Sequence, residues 1–187
     1  AYALSLALTN NLAVELGMSD TFIAKLTLAC TLITALACVL GGYLSDRFGR
    51  RRTLAFYVAG TAVPTLLMAW GMYRLGWIFP VPVDLANRPV PPQALIWLYV
   101  GAGLLYSLFQ GLMYGTRTAL FMDVCHPAVA ATQFTAYMAL LNLVISYSTY
   151  WQCGVVTKLG YPLVMTLDAG LGLVCLFLLP FMAKQAG

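Results

Sequence analysis

Uncharged, mostly apolar runs of about twenty residues recur along this chain, separated by short segments that hold most of its charge. A hydrocarbon core about 30 Å thick takes roughly 20 helical residues to cross, so each such run predicts one membrane-spanning helix. Five complete runs are present, from about Thr21 to Tyr43, Thr53 to Tyr73, Ala94 to Met122, Ala128 to Trp151 and Pro162 to Ala183. Ala1 to about Leu12 reads as the end of a sixth, cut short. Between the second and third complete runs lie Pro80, Pro82, Pro89, Pro91 and Pro92, which a helix does not tolerate together. Residues 76–93 are therefore expected to form an extended surface loop. The predicted fold class is all-α, a polytopic membrane protein with one membrane domain over residues 1–187.

Composition agrees with a lipid bilayer as the chain's surroundings. Of its 187 residues 61% are hydrophobic and 9% charged, and the mean hydropathy is +0.84, whereas a soluble domain carries roughly a quarter charged residues. The net charge of +4 does not indicate nucleic acid, because four of the ten basic residues, Arg47, Arg50, Arg51 and Arg52, fall in one short connection between apolar runs. Cys30, Cys38 and Cys175 lie within apolar runs, and Cys125 and Cys153 fall toward opposite membrane faces, so no disulfide framework is predicted.

Lysine and arginine in short loops mark the cytoplasmic side. By that rule Arg47, Arg50, Arg51, Arg52, Arg117 and Lys184 lie inside, residues 45–52 form a cytoplasmic loop, and residues 76–93 lie outside. Trp70, Trp77, Trp97 and Trp151 each fall at or beyond the outer end of a run, as an interfacial aromatic belt would.

Ionisable and polar groups inside the runs are the places to look for function, since a charge at the bilayer centre costs about 2.5 to 3.5 kcal/mol on insertion scales. Asp168 lies some six residues into the last run. It reads either as a proton site or as a member of an interhelical hydrogen bond. In the run from Ala94 to Met122, Tyr106, Gln110 and Tyr114 recur at i, i+4 and i+8 and share one helix face near the bilayer centre. Facing lipid these groups would be unsatisfied, so the face is expected against a water-filled cavity or another helix. The next run repeats the pattern with Thr135, Asn142, Ser146 and Thr149, and Thr27, Thr31 and Thr34 make a weaker stripe that the helix's own carbonyls can satisfy. Lys25 is placed to snorkel outward. Gly111 with Gly115, and Ala37 with Gly41, are small pairs at the spacing that lets helices approach closely, and Pro64 is expected to kink its span.

Catalytic readings find little support. The single histidine, His126, sits beside Cys125 with no visible further ligand, and no G-x-x-x-x-G-K-S/T phosphate loop occurs. Neither a catalytic residue, a metal nor a cofactor is predicted.

The connection Gly42-Tyr43-Leu44-Ser45-Asp46-Arg47-Phe48-Gly49-Arg50-Arg51-Arg52 reads G-x-x-x-D-R-x-G-R-R. It resembles the cytoplasmic signature loop of the major facilitator superfamily of secondary transporters. The resemblance implies one six-helix half of a twelve-helix fold, the other half being absent from this chain. Ala119 to Pro127, followed by Ala131-Thr132-Gln133-Phe134, is similar to the tenth-to-eleventh helix junction of the muropeptide permease (AmpG) and acetyl-CoA transporter branch, which favours the C-terminal half.

What the resemblance implies is proton-coupled transport of a polar or amphiphilic small solute by alternating access in a bacterial inner membrane. Tyr106, Gln110, Tyr114 and Asn142 would line the cavity. Gly42, Asp46, Arg47, Gly49, Arg50, Arg51 and Asp123 would form the gating loop and its partner, with Arg50 or Arg47 within ion-pair distance of Asp123 and Asp46 facing a helix of the absent half. A receptor or scaffold that keeps the fold without transporting is the alternative expectation.

Overall fold

A computed structural model of the chain describes residues 11–81 and 90–177. The start of the first run, Pro82 and Pro89, Lys184 and the end of the last run lie outside the described residues. A helical turn over residues 11–15 is followed by α1 (Asp20–Phe48), α2 (Arg50–Arg74), α3 (Gln93–Val124), a 3-10 turn (Pro127–Val129), α4 (Ala130–Leu159) and α5 (Tyr161–Leu176). The first four numbered helices are long and apolar enough to cross a membrane, and α5 is apolar over its 16 described residues.

Two helices outrun the apolar segments that predict them. α1 continues past Tyr43 to Phe48, and α4 past Trp151 to Leu159, because polar residues end an apolar run without ending a helix. Each stops at a glycine with positive φ, Gly49 at 91° and Gly160 at 79°. The expected loop over residues 45–52 is thus a joint of one residue, with Asp46 and Arg47 in the last turn of α1 and Arg50, Arg51 and Arg52 in the first turn of α2. Gly49 has ψ 123° as well, a conformation that side chains with a Cβ adopt only under strain. Gly49→Ala meets open space, so its cost is conformational alone. A loss of about 1 to 3 kcal/mol is expected, readable as a lower unfolding temperature in detergent with the span content unchanged.

α3 is the centre of the assembly and packs on both α1 and α2, while α5 packs chiefly on α2. Contact with α1 is made through small residues. A Cβ at Gly111 would lie 2.7 Å from the Ala37 Cβ, and one at Gly115 would lie 3.2 Å from the Gly42 nitrogen. Two hydroxyls cross this seam, Thr34 donating to the Ser107 carbonyl and Thr116 to the Gly41 carbonyl, both at 3.2 Å. Against α2, Gly60 lies under the Phe109 ring. Pro64 is buried inside α2, which runs unbroken across it.

At the Gly160 end a core of Leu12, Leu16, Met72, Leu95, Tyr161 and Val164 is almost wholly buried. Trp77 belongs to this core at 6% exposure and not to an interfacial belt, whereas Trp70 and Trp97 are exposed. The turn at Gly76 explains this: it folds the chain back so that the Trp77 nitrogen caps the Met72 carbonyl at 3.0 Å. α4 is nearly all surface, with Gln152 and Val156 its buried residues.

Candidate functional site

Between α1, α2, α3 and the turn over residues 11–15 lies a cavity of about 300 Å³. From α3 the stripe residues Tyr106 and Gln110 enter its wall, joined by Tyr99. Tyr99 and Gln110 are buried and Tyr106 is half-buried. α1 supplies Thr27, Thr31 and Thr34. Thr31 donates back to the Thr27 carbonyl at 2.9 Å, and Thr34 shares its proton between the Cys30 carbonyl at 2.8 Å and the Ser107 carbonyl across the seam. The remaining wall is largely apolar, from Leu12, Ile23, Leu26, Met68 and Met165.

Not every residue expected at the site arrives there. Tyr114 is 36% exposed, carries the Arg117 guanidinium 5.2 Å from its ring centroid, and lies outside the cavity wall. Asn142 is exposed on α4 and is not brought together with Tyr106 and Gln110. The reason is that α4 shares little contact with α3, so a polar face on α4 need not meet the polar face of α3. Asp168 is buried on α5, three residues beyond the cavity-lining Met165 but not in the wall itself. Lys25 is exposed on α1.

At the Gly49 end, Arg50 ties three helices together. Its Nε and Nη2 donate to Asp46 of α1 at 3.2 and 3.0 Å, and its Nη1 donates to the Ala119 carbonyl of α3 at 3.2 Å and pairs with the Asp123 carboxylate. The expected contact between Arg50 and Asp123 is therefore formed. Asp46, expected to face an absent helix, is engaged by Arg50 within this chain. The planar guanidinium suits the task, since it offers a rigid fork of donors to two carboxylates at once. Arg47 stands over the Phe48 ring at 5.9 Å instead. Gly42 has open space at its Cβ position.

The opposite end has a tie that the hydropathy pattern did not indicate. Tyr161, 1% exposed at the start of α5, donates to Glu15 at 2.6 Å, and the Val81 nitrogen donates to the other Glu15 oxygen at 3.4 Å. The Tyr161 nitrogen in turn donates to the Ile78 carbonyl at 2.8 Å. Glu15 itself, an acidic residue two positions before Gly17 in apolar surroundings, is the one local sign of the tie in the sequence.

Among the described residues five apolar helices follow one another, and beside Gly49 the Arg50 guanidinium links the D-R-x-G-R-R segment to the Asp123 end of α3. The family model of the Major Facilitator Superfamily matches residues 1–186. The chain belongs to the major facilitator superfamily. No curated protein and no solved structure matches it significantly. Membership makes it an integral, multi-pass membrane protein of a family of secondary transporters, which act on small-molecule solutes within the lipid bilayer.

Proposed function

We propose that this transporter moves a polar or amphiphilic solute by alternating access, with Tyr106 and Gln110 as its ligands within this chain. The observation that carries the reading is the placement of both side chains in the wall of one intramembrane cavity of about 300 Å³. A solute there exchanges water for a phenol hydroxyl, an amide and apolar surface, with no covalent step required. Tyr114 and Asn142, outside the wall, are secondary candidates that would meet solute only where the complementary half closes over it.

In this reading the Gly49 end is cytoplasmic, and Arg50 with Asp46 and Asp123 holds that end closed until the halves rock apart. Gly42, Arg47, Gly49 and Arg51 complete the gating segment. A proton gradient drives the cycle, with the buried Asp168 as the proton site. The chain is the C-terminal half of a bacterial inner-membrane transporter whose N-terminal half faces it across the solute. The similarity of Ala119 to Phe134 to the muropeptide permease and acetyl-CoA transporter branch supports a sugar-peptide or acyl-CoA-like solute.

Accessibility at position 110 tests the alternating path. In a full-length, otherwise cysteine-free protein, Gln110→Cys is expected to react with an impermeant maleimide added to either membrane face. Reaction from one face only, or from neither, contradicts the reading.

A further inference from the structure

Ionisable residues neighbour the cavity-lining positions in sequence, and none of them enters the wall. Glu15 follows the lining residues Leu12 and Ala13, Lys25 falls between Ile23 and Leu26, and Asp168 comes three positions after Met165, yet all three stay outside it. Glu15 accepts instead from the Tyr161 hydroxyl at 2.6 Å and from the Val81 nitrogen, and Lys25 is exposed. Among the described residues the wall thus contains no Asp, Glu, Lys, Arg or His. A charge brought against it gives up water and meets no opposite charge, which is heavily penalised in a low-dielectric interior.

Several hydroxyls of the wall already have partners, since Thr31, Thr34, Thr65 and Ser107 donate to backbone carbonyls. Gln110 differs from them. It is 9% exposed, lines the cavity, and makes no hydrogen bond among the described residues. A buried amide without partners forfeits the hydrogen bonds it makes in water, so the cavity favours an occupant that restores them. A carboxamide needs an acceptor for its N–H groups and a donor for its carbonyl. A carboxylate supplies only the first and an ammonium only the second, whereas a neutral amide or hydroxyl supplies both.

We infer that this wall is a subsite for an uncharged part of the solute, an amide- or hydroxyl-bearing group on an apolar body, and that Gln110 selects against charge there. At about 300 Å³ the space lies at the lower end of the range of ligand cavities, about 300 to 1,000 Å³, so it takes a small solute or one end of a larger one. The inference rests on the transport reading above and narrows it: any phosphate or carboxylate of the solute stays outside this wall. Gln110 is then a specificity-determining residue.

Cys30 of α1 stands in the same wall and reports its occupancy. In the full-length transporter with Cys30 as its single cysteine, alkylation by N-ethylmaleimide near neutral pH would be followed against octanamide, octanoate and octylammonium, which share a chain and differ in the head. Octanamide is expected to slow the alkylation saturably, at about a tenfold lower concentration than either ion. Gln110→Ala is expected to abolish that order and Gln110→Glu to favour octylammonium. Partitioning of the probes into lipid is common to all three proteins, and a gain for octylammonium does not arise from misfolding. Protection by either ion at or below the octanamide concentration, an unchanged order in either variant, protection by none of the three, or a Cys30 that does not react overturns the inference. Failure of the transport reading is seen separately, as labelling at position 110 from one face only while the amide preference at Cys30 persists.

Discussion

Gly111→Val is expected to lower the unfolding temperature of the protein in detergent by about 10 °C. Apolar surface gives little drive for association between helices in lipid, so α1 and α3 are held by close packing and by hydrogen bonds across their seam. A Cβ at position 111 would stand 2.7 Å from the Ala37 Cβ and nearer still to the Thr34 carbonyl oxygen. That oxygen is backbone and yields only if the helices part. Parting them also removes the interhelical share of two hydroxyl bonds, since Thr34 and Thr116 each bond a carbonyl of their own helix as well. Overpacking costs about 1 to 3 kcal/mol, and interhelical hydrogen bonds in membranes contribute about 0.6 to 2 kcal/mol each. With both shared bonds at the lower end the sum is about 2 to 4 kcal/mol, and each kcal/mol moves a chain of this size by about 2 to 4 °C. Gly101→Ala is the matched control, since a Cβ there meets nothing within 4 Å. Equal unfolding temperatures for Gly111→Val and wild type would show that the seam is not packed in this way.

Arg50→Ala is expected to reduce transport about tenfold while leaving the amount of protein in the membrane little changed. The substitution removes one group that holds Asp46, the Ala119 carbonyl and Asp123 together. Charge-assisted hydrogen bonds are worth about 1.5 to 3 kcal/mol, but these side chains are 31% to 64% exposed and solvent screens them. A net effect of about 1.4 kcal/mol, which is a factor of ten, is the expected scale. Arg50→Lys should fall between, because an ammonium cannot present the planar fork that spans both carboxylates. The exchange Arg50→Asp with Asp123→Arg should recover part of the loss. Initial uptake rates in proteoliposomes provide the readout, and additive losses in Arg50→Ala, Asp123→Ala and their double variant would remove the bridge from the mechanism.

How far the sequence reaches depends on the kind of physical signal involved. Spans are legible because about 30 Å of hydrocarbon imposes a length on apolar runs. Their ends are not, because Ser45, Asp46 and Arg47 stop the apolar run while the α1 backbone continues to Gly49. The small pairs at Ala37 with Gly41 and Gly111 with Gly115 were legible as sites of close approach, since only packing needs them at that spacing. The i, i+4 rule likewise found the polar face of α3, and Tyr106 and Gln110 do line the cavity. Periodicity names a face and not the element that covers it, so Tyr114 and Asn142 sit on polar faces without lining the cavity. Trp77 was misread for a related reason: its position beyond a span matched an interfacial belt, while the turn at Gly76 sends it inward. The tie between Glu15 and Tyr161 joins residues 146 positions apart, which no local pattern encodes.

The claim on which the account depends is that the wall bearing Tyr106 and Gln110 is where solute binds. Its most direct test is uptake of labelled sugar-peptide and acyl-CoA solutes into proteoliposomes holding the full-length protein, with and without a pH gradient. Uptake of at least one is expected, accelerated by the gradient and nearly lost when Tyr106→Phe and Gln110→Ala are combined. Uptake that survives the combined substitution unchanged would contradict it.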